Sequence, residues 1–339
     1  MKQVGRELGV RYVLGGSLRK AGNRIRVTAQ LVEGETGKHV WAERYDRDLP
    51  DIFAMQDEIT EAVTIAIAPA IAEAEQRRAM RKPPGSLDAW AAYQRGLWHL
   101  GQFRADDNAL AEKYFTQAID LDPTFAGGCW GLAWAQLHSA AIFQRCNLAE
   151  AQNSAEALDR RAVALDPANA EARSCLGNAL NYRGDYEAAL AEIERALAIS
   201  PNLASAHGVL GTTLVYSGRP KNGVAALETY IRLDPRDPNL PLFLQQITVG
   251  LYFSREYEAA VEAAKRVTRS YPDFPNTYRW LATALGQTGR TAEAKEALER
   301  AIAIAPGSFD MYVRGRVPWM RPEDHAHMLE GLRKAGWGG

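Results

Sequence analysis

Six prolines set the frame of this chain. Pro123, Pro167, Pro201, Pro235, Pro272 and Pro306 are separated by 44, 34, 34, 37 and 34 residues. Twelve residues before each stands a small residue: Ala111, Ala155, Ala189, Gly223, Ala260 and Ala294. The stretch Ala170 to Pro201 shows what is being repeated. Leu176, Leu180, Ile193 and Leu197 recur at helical spacing and form one apolar stripe. Gly177 and Ala189 are small where two helices would cross closely. Gly184, in Arg-Gly-Asp-Tyr, permits a tight turn between them, and Pro201 ends the second helix. A helix–turn–helix of this length cannot bury its apolar face alone and has to stack on its neighbours. The steps of 44 and 37 read as the same unit carrying ten and three inserted residues.

This spacing resembles the tetratricopeptide (TPR) repeat. It predicts a mainly α protein, an α-solenoid of about six helix pairs between residues 86 and 308. Two units depart from the pattern: Asp159 stands where an apolar residue is usual, and Gly223 replaces alanine. Residues 309–339 then read as a closing segment, irregular from Met311 to Met320 and helical from Pro322 to Ala335. A solenoid exposes an apolar face at its end, so this helix is expected to cap it.

Residues 1–50 follow a different rule. Lys2 to Leu8 is helical in pattern, and Val10 to Leu14 reads as a strand. Residues 23–32 alternate, with Ile25, Val27, Ala29 and Leu31 on one face. Ala21-Gly22-Asn23 and Glu35-Thr36-Gly37 are turn signals, and His39 to Tyr45 makes a third strand. The expectation is a small partial α/β segment built on a three-stranded antiparallel meander. Arg11, Arg19, Lys20, Arg24 and Arg26 cluster there and read as the solvated face of a half-buried sheet rather than an anion site, because Glu33, Glu35, Glu43 and Asp46 lie nearby. Residues 51–85 form a connecting helix and linker, with Asp48 or Asp51 as a cap and Pro69 as a kink or break.

The chain of 339 residues carries a net charge of −1 and no charged tail, which disfavours nucleic acid and anionic membrane as partners. The longest apolar run, Ala62 to Ala72, is interrupted and too short to span a bilayer. Three cysteines without paired spacing suit a reducing, cytoplasmic setting. No Gly-rich phosphate loop, Gly-x-Ser-x-Gly elbow or metal spacing occurs, so no catalytic residue, metal or cofactor is expected. His325 and His327 are two apart and would point in different directions on a helix.

In TPR solenoids the first helix of each pair lines a concave groove that takes a peptide or partner protein. Carried onto this sequence, that geometry selects Trp130, Trp134, His138, Asn178, Asn181, Tyr182, Thr212, Tyr216, Gln245, Tyr252 and Arg279. Aromatic and amide side chains there offer flat apolar area and hydrogen bonds to a peptide backbone. Trp130 and Trp134 compete with a second role, packing between repeats, whereas Asn178, Tyr182 and Tyr216 are expected to be exposed. A basic clamp for a peptide carboxylate is disfavoured, since Ser174, Gly208 and Thr212 stand where its cations would be.

Gly5-Arg6-Glu7-Leu8-Gly9-Val10-Arg11-Tyr12-Val13-Leu14-Gly15-Gly16-Ser17, Val40-Trp41-Ala42-Glu43-Arg44-Tyr45 and Asp51-Ile52-Phe53 resemble the TolB amino-terminal-like region of bacterial multidomain proteins. In those proteins it precedes TPR repeats and commonly follows a class III adenylate/guanylate cyclase domain, or in others a winged-helix DNA-binding domain. The resemblance implies a non-catalytic interaction region of a cyclase-type signalling protein, with the sensor region of a transcriptional regulator as the alternative. It also implies an α/β portion ahead of the Gly-Arg-Glu-Leu motif, so the chain is expected to be a fragment or a late-start product.

Overall fold

The computed structural model describes residues 1–48, 52–83, 85, 87–272, 274 and 276–339. They divide into two compact units, Met1–Pro83 and Pro84–Gly339. Asp51 and Ser86, offered above as a helix cap and as the first repeat residue, lie outside the described residues.

In the first unit, helix α1 (Lys2–Leu8) leads into an antiparallel sheet of order β1 (Tyr12–Ala21), β2 (Arg24–Glu33) and β3 (His39–Asp48). The meander is the one expected, but its strands are longer, ten residues each. The first begins at Tyr12 rather than Val10. Leu14 pairs with Leu31 and Val27 with Tyr45. Ile25, Ala29, Leu31 and Tyr45 are buried, which follows the period-2 pattern of the central strand. Strand β1 lies at the edge, and its Leu14 and Leu18 are exposed. Three of the five residues of the basic cluster are held by carboxylates. Arg26 Nε donates to Asp46 at 2.6 Å, Arg24 lies 3.6 Å from Asp48, and Arg11 Nη1 donates to buried Glu75 at 2.6 Å. Helix α2 (Ile52–Arg81) runs through Pro69 as one helix, so of the kink or break expected there the break does not occur.

The second unit is a stack of six antiparallel helix pairs. They are α3 (Ala89–Leu100) with α4 (Ala105–Leu121), α5 (Ala126–Ala141) with α6 (Leu148–Leu165), and α7 (Ala170–Tyr182) with α8 (Tyr186–Ile199). They continue with α9 (Ala204–Tyr216) and α10 (Pro220–Leu233), α11 (Leu240–Phe253) and α12 (Tyr257–Ser270), and α13 (Thr277–Gln287) and α14 (Thr291–Ile304). Side chains cap several starts: Asn169 Oδ1 accepts from Ala172 N at 3.0 Å and Asp185 Oδ1 from Ala188 N at 3.2 Å. The ten-residue insertion is spread over α5, with 16 residues against 13 in α7, the loop after it, and α6, with 18 residues against 14 in α8.

The small residues mark where the helices cross. A Cβ on Gly177 would lie 2.7 Å from Ile193 Cγ1 and 3.1 Å from Ala189 O. Gly211 and Gly223 meet in the same way in the next repeat, each too close to the other's carbonyl for a side chain. Gly177→Leu is therefore expected to destabilise the third repeat by about 1–3 kcal/mol, read as a lower denaturation midpoint; an unchanged midpoint would contradict this register.

Beyond α14 the chain turns through α15 (Pro306–Phe309) and a five-residue π-helical turn, Asp310–Arg314, and ends in α16 (Pro322–Lys334). The last helix packs on α13, where Gly286 and Gly331 allow close approach: a Cβ on Gly286 would lie 2.2 Å from Gly331 O. The segment does more than close the end. It runs back to the third and fourth repeats, and Phe309, Val313, Trp319, Met320, Met328 and Leu332 are all buried.

Candidate functional site

The residues picked out for the groove come together, but under cover. Trp134, His138, Asn178, Asn181, Tyr182, Thr212, Tyr216 and Gln245 line one enclosed space of about 30 Å³, and Tyr312 and Trp319 of the C-terminal segment complete its wall. Helices α5, α7, α9 and α11 each contribute, because the inner position of every first helix faces the same axis. The exposure expected for Asn178, Tyr182 and Tyr216 is not found. Asn178 and Tyr216 are buried and Tyr182 is half-buried. The physical reason is the C-terminal segment. The Trp319 ring sits edge-on to Tyr182 at 4.6 Å between centroids, and Tyr186 Oη donates to the Trp319 carbonyl at 2.8 Å. Gly184 lies against the Pro318 backbone carbonyl, where a side chain has no room, and Gly218 lies against the Arg321 guanidinium.

Tyr252 and Arg279 hold the same segment further along. Tyr252 is fully buried, stacks on His327 at 4.5 Å and donates its hydroxyl hydrogen to the His327 carbonyl at 2.7 Å. Arg279 is 2 % exposed and lies 4.1 Å above the Tyr312 ring. Its Nη1 donates to Ser308 Oγ at 3.4 Å, and Ser308 in turn donates to Asn276 at 2.6 Å. Burial pulls the Arg279 pKa down, and aromatic faces rather than a carboxylate sit nearest its charge.

Trp130 stands apart from the others. It lies edge-on to Tyr93 at 5.5 Å and packs on the Ala126, Cys129, Ala162 and Ala172 cluster, so packing between repeats is the role it fills. Trp130 is half-buried and Trp134 buried, and His138 is enclosed by the rings of Trp134 and Phe103. Burial lowers the His138 pKa to about 3, which keeps the imidazole neutral. Thr212 donates back to the Gly208 carbonyl of its own helix at 3.0 Å.

The inner surface is polar for so closed a space. Trp134 Nε1, both His138 nitrogens, Asn181 Oδ1 and Gln245 Oε1 find no protein partner among the described residues. These are groups that suit an extended or helical peptide backbone. Tyr312 and Trp319 were not singled out in sequence, and His327 was weighed only as half of a metal-binding pair with His325. Two large aromatics and a proline in a stretch without repeat register were the available sign that it docks onto something.

No group of three or more metal-binding side chains occurs among the described residues, and among them no helix is long and apolar enough to cross a membrane.

Residues 147–204 and 250–309 match the tetratricopeptide repeat family. A Rhizobium meliloti (strain 1021) protein named "Putative adenylate cyclase 3" is 38% identical over 173 residues, which is 50% of this chain and 29% of that protein. The chain therefore spans under a third of this relative's length. Among solved structures, the APC/C hetero-tetramer Cut9-Hcn1 is similar with a TM-score of 0.55 at 15% identity, over 78% of this chain and 48% of that one. The human IFIT1 dimer follows with a TM-score of 0.54 at 16% identity, over 73% and 59%. At such identities these two likenesses speak for the fold. With the proline frame, the crossing glycines and the six stacked pairs, they make residues 87–305 a tetratricopeptide-like solenoid, preceded in the chain by a three-stranded antiparallel sheet.

Proposed function

We propose that the chain is a non-catalytic interaction region of a bacterial cyclase-type signalling protein, acting in the cytoplasm, with repeats over residues 86–308. In this reading residues 1–50 are a TolB amino-terminal-like segment, joined through 51–85, and the inner groove takes a peptide or partner protein. The cyclase name of the 38% identical relative favours a cyclase context over a winged-helix regulator. One observation carries the groove assignment: inner side chains from four successive repeats converge on the rings of a non-repeat segment. Residues 309–339 then act as the groove's resident occupant, and a partner binds by taking their place.

The test is a Tyr312→Ala/Trp319→Ala variant. With both rings gone, the segment loses its hold on α7 and α9 while every repeat helix is left intact. A synthetic peptide of residues 308–321, added to the variant, is expected to bind saturably by titration calorimetry, and wild type is expected to bind it at least tenfold more weakly. Equal binding, or none to the folded variant, would remove the groove as a peptide site.

A further inference from the structure

A second cavity, separate from the groove, lies where the solenoid coils onto itself. It is open to solvent on one side and has a volume of about 810 Å³, within the range of small-molecule sites. One wall is the turns of the first two repeats, Gly101–Phe103 and Ile142–Gln144. The other is made by the connections before α11, before α13 and after α14. These parts are far apart in sequence, yet the Phe103 and Phe274 rings lie 5.5 Å apart, and a Cβ on Gly101 would lie 3.0 Å from Pro238.

The turn residue in the left-handed region is glycine in three repeats, Gly184, Gly218 and Gly289, and Arg255 (φ 64°) in the fifth, away from this cavity. At this cavity it is Phe103 (φ 53°) and Gln144 (φ 54°). Side chains rarely adopt this backbone, and their presence there is a strain that clusters at ligand sites. Both side chains line the cavity. Phe103 sits among aromatic neighbours, with Phe143 at 6.0 Å. The Gln144 amide nitrogen is buried without a protein hydrogen-bond partner among the described residues. It is a donor in a wall that is otherwise mostly rings and prolines. Arg236 supplies the cation of the lining; Asp237 beside it has its carboxyl pushed up by burial and so carries its charge less readily.

We infer that this cavity binds a small ring-bearing organic acid: its apolar body lies against Phe103, Phe274 and Tyr271, and its acid group accepts from Gln144 Nε2 and pairs with Arg236. This site is independent of the peptide groove.

The probe is 1-anilinonaphthalene-8-sulfonate, an aromatic ring system with one anionic head, titrated into the full chain and followed by fluorescence, with 2-naphthoate as competitor. Wild type is expected to bind one equivalent saturably, and 2-naphthoate to displace it. Gln144→Gly relieves the left-handed backbone, so its melting temperature is expected to hold or rise while probe affinity falls at least fivefold; a merely structural glutamine would not give that split. Arg236→Gln, at an exposed position, is expected to lower affinity severalfold and to reduce its dependence on salt. Absence of saturable binding to wild type, or affinities unchanged in both variants, would overturn the assignment. Loss of binding in the Tyr312→Ala/Trp319→Ala variant alone would place the probe in the groove and overturn it equally.

Discussion

Gly331→Leu is expected to release the C-terminal segment while leaving the repeats folded. Two effects of opposite sign meet at this position. Leucine favours a helix over glycine by about 1 kcal/mol, so α16 taken alone would be steadied by the change. Against this, a Cβ at residue 331 would lie 2.7 Å from each of three atoms: Thr283 Cγ2, the Thr283 carbonyl oxygen and Tyr252 Oη. The carbonyl belongs to the backbone of α13 and cannot turn aside, so the helix has to lift off. Lifting exposes Met328 and Leu332, both fully buried, and loosens Trp319. At roughly 1.5–3 kcal/mol for each apolar side chain returned to water, the loss is several kcal/mol and outweighs the helical gain. Tryptic cleavage followed by mass spectrometry reads this directly. Wild type is expected to resist at Arg316 and Arg333, and Gly331→Leu to be cut there while α3–α14 persist. Gly338→Leu, where a side chain meets open space, is the control and is expected to behave as wild type. Equal resistance of Gly331→Leu would show that the segment is not held through this crossing. The variant also bears on function, since it uncovers the same inner surface as removal of Tyr312 and Trp319 by an independent route.

The repeat architecture was legible because it is written in local chemistry. Proline ends a helix, glycine makes a left-handed turn, and a small residue marks a crossing, each within one unit of the sequence. Which side chains of the first helices face inward was legible for the same reason, as helical phase decides it. What covers them was not. Whether Tyr216 meets water depends on Tyr312 and Trp319, about a hundred residues away, and no periodicity links the two. The C-terminal helix was found, but its docking depends on the pairing of Gly286 with Gly331 and of Tyr252 with His327, contacts fixed only once the solenoid has coiled. Of the kink or break that Pro69 suggested, the break does not occur: it lies inside one helix of 30 residues. The cavity beside Phe103 was hidden too, because glycine's absence from a turn leaves a weaker trace than its presence.

Asp159 is the residue whose replacement is expected to stabilise the fold most. Its register position is held by Phe115, Ile193, Leu227, Ala264 and Leu298 in the other repeats, all of them buried. Asp159 is buried as completely, and neither carboxylate oxygen has a protein hydrogen-bond partner among the described residues. Burial drives its pKa well above the ordinary carboxylate value, and the nearby groups do little to oppose this: Cys129 and Cys175 face it as thiols, also raised by burial, and Arg161 lies near Cys129. In the unfolded chain the group loses its proton near pH 3.9. In the folded chain it keeps the proton to a higher pH, so between the two values the folded state binds more protons than the unfolded one. Stability from this group is therefore full below about pH 3.9 and falls as pH rises toward the folded value, by about 1.4 kcal/mol per unit. Glu171, pushed up to about 7 by burial against the opposing hydrogen bond from Ser205, adds a slope of the same sign, so the measurement has to be a difference between variants. Asp159→Asn keeps the size and removes the titration. Its stability relative to wild type is expected to grow as the pH rises from 4 to 7. Asp159→Leu is expected to exceed it at pH 7, because the apolar side chain also gains from burial where leucine already serves in the fourth and sixth repeats. Urea denaturation of the three proteins at pH 5, 6 and 7 decides the matter. Parallel curves for wild type and Asp159→Asn would mean that the carboxylate is solvated or paired in the folded chain, and that the tolerance of this repeat for an acid has another cause.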